Sequence, residues 1–168
     1  MDPGLANTGW GIIDSDGRHS RHLSSGIIHT SPSAAHVMRL GDIRNELKEV
    51  IQQWSPKIAC IERVFVNKNA KSSMVLGEAR GVAIGVLLEC DLEVTEISAL
   101  QIKKSVTGMG RANKKQVSEM VMRLLALPVP APADAADALA CALALMPLAR
   151  LQNTRLPAIR SRRRRTRR

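Results

Sequence analysis

The sequence predicts an α/β domain built as a mixed sheet flanked by helices, and three observations carry that prediction. The first thirty residues alternate apolar and polar positions around tight turns, the signature of antiparallel strands. Beyond them, short apolar runs alternate with long stretches of helical periodicity, the pattern of strands covered by helices. A chain of 168 residues with 45% apolar content can close one such core, burying roughly 70% of its unfolded surface. The domain is expected to span residues 1–149, followed by an arginine-rich tail at 150–168.

The elements follow in order. Asn7 to Asp14 and Arg18 to Thr30, either side of a turn at Asp16-Gly17, read as two or three antiparallel strands. Ser33 then opens a helix whose residues Val37, Leu40, Ile43, Leu47, Val50 and Trp54 keep helical spacing until Ser55-Pro56 stops it. Lys57 to Glu62 is a short, mostly apolar strand of the kind buried on both faces, ending on Glu62. From about Lys71 to Cys90 a second long helix is expected to pack closely through Gly77, Gly81 and Gly85, and Val94 to Ile97 makes another strand. A few helical residues precede the loop Gly108-Met109-Gly110, and Asn113 caps a helix reaching about Leu127. Pro128 to Pro132 breaks the chain. The last helix opens in P-A-D-A-A-D-A-L-A (132–140), buries Leu139, Leu143 and Leu145, and is interrupted at Pro147.

Charge and cysteine usage narrow the function classes. From Arg150 onward there are nine arginines and no acid, so nine of the ten net positive charges sit in the tail. Arg160 to Arg168 is expected to be disordered, serving either as a non-specific phosphate grip or as a solvated end. Cys60, Cys90 and Cys141 are odd in number, widely spaced and without a C-x-x-C pattern, which argues against a disulfide framework or a thiolate zinc site and fits a reducing cytosol. Met1-Asp2-Pro3-Gly4 is no signal peptide, and the apolar helix falls short of the ~20 residues of a membrane span. A soluble, cytoplasmic protein is expected.

Four acids stand at the ends of elements: Asp2, Glu62, Asp134 and Asp137. Asp134 and Asp137 share one helix face, and a first helical turn favours acid by about 0.3–1 kcal/mol, so helix capping alone accounts for that pair. Gathered together, the four would repel one another by several kcal/mol unless cations sat between them. Hard divalent ions suit such a set. Mg²⁺ is commonly held by carboxylates and substrate phosphates, and two ions ~4 Å apart favour in-line attack on a phosphodiester. His19, His22, His29 and His36 lie in or near the strand meander and read as surface or edge residues. Phe65, the chain's only Phe, stands among Arg63, Lys68 and Lys71. It suits either core packing or stacking on an unpaired base, worth ~1–3 kcal/mol. From Lys103 to Arg123 six basic residues face only Glu119, a solvated helix or a lobe for backbone phosphate. Glu78 and Arg80 read as a local surface ion pair.

Five stretches carry a family resemblance: D-P-G-L-A-N-T-G-W-G-I-I, I-E-R-V-F-V-N-K-N-A-K-S, L-G-E-A-R-G-V-A, G-M-G-R-A-N-K-K-Q-V and A-D-A-A-D-A-L-A. In this order and spacing, from Asp2 to about Leu148, they resemble the RuvC family of Holliday-junction endonucleases. The resemblance implies an RNase H-like fold and a homodimeric, Mg²⁺-dependent endonuclease of DNA recombination and repair that makes paired, symmetric nicks in a four-way DNA junction. It implies two Mg²⁺ ions per site, with Mn²⁺ as a substitute, and the RuvA and RuvB branch-migration proteins as partners. By motif position Asp2, Glu62, Asp134 and Asp137 match its metal-binding catalytic acids. Phe65 matches an aromatic that contacts bases, and Lys103 and Lys114 match residues that contact DNA.

The family carries an apolar strand before D-P-G, whereas here only Met1 precedes Asp2. Most of that first strand should therefore be missing, sheet edges should be exposed, and the given start is expected to be wrong or truncated. The alternative to an active nuclease is a catalytically impaired junction-binding protein with a poorly anchored Asp2. A small ATPase of the related actin-like fold is a third class, weakened by the lack of a second glycine-rich phosphate loop.

Overall fold

The computed structural model describes residues 1–16, 18–63 and 69–155. Two strands, β1 (Asn7–Ser15) and β2 (Ser20–His29), pair antiparallel, with Asn7 opposite His29 and a register shift between Ile12 and Ile13. A second ladder joins β3 (Ile58–Arg63) to β4 (Glu93–Ser98) in parallel, from Ile58 opposite Glu93 to Arg63 opposite Ser98.

The first two residues join these ladders. Asp2 exchanges backbone hydrogen bonds with Gly9 at 3.0 and 2.9 Å, an antiparallel bridge to β1. The Met1 amino group donates to the Cys60 carbonyl at 2.8 Å, while the Glu62 N–H donates to the Met1 carbonyl at 3.2 Å, the slanted pattern of a parallel pair. Met1 and Asp2 thus act as a two-residue strand between β1 and β3, and the sheet is mixed, as expected. Behind Met1 the facing stretches Gly11 to Ser15 and Ile58 to Cys60 do not pair with each other but line a slot of about 380 Å³.

Helices cover both faces. On one side lie α1 (His36–Trp54) and α2 (Ala70–Glu89), closing a core of Met1, Ile28, Ile43, Leu47, Ile61, Ala79, Ala83 and Leu87. On the other lie α3 (Ala99–Thr107), α4 (Lys114–Leu124) and α5 (Ala133–Arg155), around Cys60, Ile97, Val121, Leu139 and Cys141. Neighbouring Cys60 and Ile61 point into different cores, so β3 is buried on both faces. Capping boxes fix the starts of α3 (Ser98 with Gln101) and α4 (Asn113 with Gln116).

Several expectations are corrected. The first helix starts at His36 rather than Ser33, whose hydroxyl bonds Ser31 at 2.8 Å instead. Pro147 does not interrupt α5, which runs on to Arg155. Pro147 is exposed, so water can satisfy the carbonyl that its ring leaves unpaired. Gly77, Gly81 and Gly85 do not mediate close packing: all three are exposed, and a Cβ on any of them would meet nothing within 4 Å. The helix packs inward through Ala79, Ala83, Val86 and Leu87.

Close approach is needed elsewhere, where α5 crosses β1. A Cβ on Gly9 would fall on the Asp134 carbonyl oxygen, and one on Gly11 would stand 2.6 Å from Leu139 Cδ2. Gly9→Ala should therefore force the start of α5 off the sheet. The expected cost is about 1–3 kcal/mol, a fall in thermal midpoint of about 3–10 °C. Calorimetry checks it, with an unchanged midpoint contradicting the packing described.

Candidate active site

The site forms where three separate segments end side by side. Asp2 is held by its backbone bonds to Gly9, Glu62 is the last residue but one of β3, which runs one residue past the end expected at Glu62, and Asp137 stands one turn into α5. The carboxylates of these three residues line one cleft of about 440 Å³, together with Arg63, Lys103 and Lys114. Asp134, in the first turn of α5 and half-buried, does not line that cleft, although its charge acts on Asp2. Phe65 lies outside the described residues, as does Arg160 to Arg168.

The electrostatics are those of an under-neutralised acidic cluster. Burial raises the Asp2 carboxyl above its ordinary value, and repulsion from Asp137 and Asp134 adds to the rise, against the lowering effects of the chain amino group and Lys114. Glu62 is raised in the same way, first by burial and then by Asp2 and Asp137. The Lys114 ammonium donates to Asp137 Oδ2 at 3.0 Å, and that hydrogen bond and attraction raise its own value. Lys114 is 82% exposed at the side chain against 22% for Asp137, so the lysine reaches in from solvent over the acid.

Among the described residues no three His, Cys, Asp or Glu side chains already converge as a metal cage. The donor chemistry nevertheless fits hard divalent ions. All the candidate ligands are carboxylates, and the raised values of Asp2 and Glu62 mark a place where added positive charge is favourable.

Two residues near the site have roles that spacing did not suggest. Arg80 does not pair with Glu78. Its guanidinium donates to the Glu62 carbonyl at 3.2 Å and to Glu96 Oε2 at 2.6 Å, tying α2 to the strand that carries the acid. Glu78 bonds His36 Nε2 at 2.6 Å instead. Behind the acids, Cys60 and Cys141 bring their sulfurs to 3.2 Å, a contact that their separation of 81 residues gave no sign of.

Comparison with known proteins is consistent with this geometry. The family model for the crossover junction endodeoxyribonuclease RuvC matches residues 1–145. The chain is 46% identical over 130 residues to the crossover junction endodeoxyribonuclease RuvC of Polaromonas naphthalenivorans, covering 76% of this chain and 71% of that one. It is 49% identical over 127 residues to the Bordetella pertussis protein of the same name, covering 76% and 70%. Its structure is similar to that of T. thermophilus RuvC in complex with a Holliday junction substrate, with a TM-score of 0.85 and 30% identity over 90% of this chain and 93% of that one. Yeast mitochondrial resolvase Ydc2, at 11% identity and a TM-score of 0.61, is similar in fold alone.

The raised carboxyls bear on stability with a definite sign. A carboxyl whose value is higher in the folded state binds protons that the unfolded chain has lost. Stability therefore falls as pH rises from the ordinary carboxylate range through the raised values, and the loss persists above them. In EDTA at neutral pH, Glu62→Gln should raise the thermal midpoint by roughly 1–3 °C. The gain should vanish once the medium is acid enough to protonate Glu62 in both states. Melting curves over a pH series check both parts.

Proposed function

The chain belongs to the RuvC family of crossover junction endodeoxyribonucleases, and we propose that it performs that reaction through Asp2, Glu62, Asp134 and Asp137. It is a divalent-metal-dependent endonuclease that resolves four-way DNA junctions in recombination and repair. The observation that carries the assignment of residues is the convergence of Asp2, Glu62 and Asp137, from three distant segments, on one cleft.

In this reading the four acids hold two Mg²⁺ ions, with Mn²⁺ as a substitute. Such ions, when bound, lower the pKa of water and stabilise charge on the reacting phosphate. The protein's own groups provide the rest. The backbone pair with Gly9 fixes Asp2, Arg80 fixes the end of β3, and Lys114 balances Asp137 until phosphate or metal takes over. Lys103 and Lys114 at the cleft then receive backbone phosphates, and Phe65 stacks on a base at the opened junction. Hydrolysis leaves 5′-phosphate and 3′-hydroxyl ends.

The reading of a junction binder that no longer cuts is not favoured. The named relatives are endonucleases, and Asp2 is anchored by two backbone hydrogen bonds with β1, while its neighbour Met1 is bonded to β3.

Paired nicks on a two-fold substrate call for a two-fold enzyme, and α2 offers a face for it. Met74, Gly77, Gly81, Gly85 and Leu88 form one exposed stripe at helical spacing, with Met74 at 63% and Leu88 at 58% exposure. Outward-facing glycines let a second helix approach closely, which supports a homodimer formed across α2. RuvA and RuvB are the partners proposed from family membership. No described helix is long and apolar enough to cross a membrane, and cytoplasmic action is proposed with the rest.

Two experiments test this reading. With a synthetic four-way junction and Mg²⁺, the chain should make paired nicks near the crossover that EDTA abolishes. Asp137→Asn should lose at least about 100-fold in cutting rate while keeping junction affinity in a gel-shift assay. Equal loss of both would make Asp137 structural instead. For the dimer, Gly81→Glu should sediment as a monomer at concentrations where the unaltered chain sediments as a dimer, and an unchanged profile would place the interface elsewhere.

A further inference from the structure

A pair of thiols lies one layer behind the acids. Cys60 precedes Glu62 by two residues on β3, so the two side chains share a face of the strand. Cys141 follows Asp137 by four residues on α5, so they share a face of the helix, one turn apart. The packing of α5 over β3 brings the two sulfurs to 3.2 Å, on the same strand and helix faces as the acids. Both thiols are free and buried, at 5% and 1% exposure. Cys60 also lines the slot behind Met1, which gives a small solute a route to one sulfur.

We propose that Cys60 and Cys141 form a reversible disulfide on exposure to a hydroperoxide, and that this bond switches off the nuclease by drawing β3 and α5 together behind their acids. The inference deepens the proposed function and rests on Glu62 and Asp137 being metal ligands. In the first step one of the two sulfurs attacks a peroxide oxygen. The O–O bond breaks, water departs with the thiol proton, and that Cys becomes a sulfenic acid. The other Cys sulfur then attacks it, the S–S bond forms, the S–O bond breaks, and a second water leaves with the second thiol proton. Two thiols lose two electrons and two protons, and hydrogen peroxide becomes two waters. A disulfide needs sulfurs about 2.05 Å apart, so they must close by roughly 1.2 Å. Cys60 and Cys141 sit on the same two elements as Glu62 and Asp137, so the part of that closure not absorbed by rotation of the two Cys side chains moves the acids.

The test uses the full chain, treated with hydrogen peroxide in EDTA, alkylated, and mapped by non-reducing peptide mass spectrometry. A Cys60–Cys141 crosslink is expected, with Cys90 alkylated. On return of Mg²⁺, junction cutting should be down about 100-fold, the size a 1 Å misplacement can cost. Dithiothreitol should restore it, which separates the bond from methionine oxidation, because the thiol reductant does not reverse a sulfoxide. Mn²⁺ binding, measured by calorimetry on the oxidised chain, should weaken in parallel. Cys141→Ala and Cys60→Ala should each keep cutting after peroxide, their folding checked by melting curves. Failure to find the crosslink overturns the proposal, as does a crosslinked chain that binds Mn²⁺ and cuts like the reduced one. A reduced chain that cuts no junction overturns the proposed function itself, and the regulatory claim falls with it even where the crosslink is found.

Discussion

The hydrogen bonds of Met1 and Asp2 are the constraint on which the rest depends. Through two residues the antiparallel ladder of β1 and β2 and the parallel ladder of β3 and β4 become one surface. Each side supplies backbone partners that the other cannot, because β1 and β3 do not pair with each other. The same bonds place a carboxylate at the end of the joint, beside the end of β3 and the first turns of α5. Structural continuity and the acidic cleft thus share one short piece of backbone, and the close crossing of α5 over Gly9 and Gly11 keeps the helix on it.

What that joint assembles is an electrostatic compromise. Asp2 and Glu62 are both held above their ordinary values, Asp2 by burial with Asp137 and Asp134, Glu62 by burial with Asp2 and Asp137, and Lys114 relieves only part of the repulsion from the exposed side. A folded state carrying such a cluster is less stable than one without it, which is the usual relation between a binding site and its scaffold. Added positive charge beside these carboxyls would relieve the imbalance. The cluster is therefore tense by itself.

Much of this was legible in the sequence, for identifiable reasons. Alternation gave β1 and β2, spacing gave the helices, and Asn113 announced the start of α4 because a side chain that caps a helix acts within three residues. The convergence of Asp2, Glu62 and Asp137 came from motif resemblance and not from periodicity, since no local rule links residues so far apart. Where reading failed, the cause was also distance. Glycine spacing on α2 identified a face, but nothing local says whether that face meets the core or solvent. Arg80 was assigned to its sequence neighbour and chose instead the strand across the layer. The contact between Cys60 and Cys141 depends on how α5 lies over β3, which neither segment encodes alone.

The parallel pairing of Met1 with β3 spans about sixty residues, and the acid-bearing turn of α5 begins only at Ala133. During synthesis Met1 and Asp2 must wait for a partner strand and then for α5, at about 5–20 residues per second. Contacts of such long sequence range form late in folding. A nascent chain therefore carries its acids apart from one another until α5 has been made. A chain cut short before α5 lacks Asp134 and Asp137 and so cannot assemble the acidic cluster.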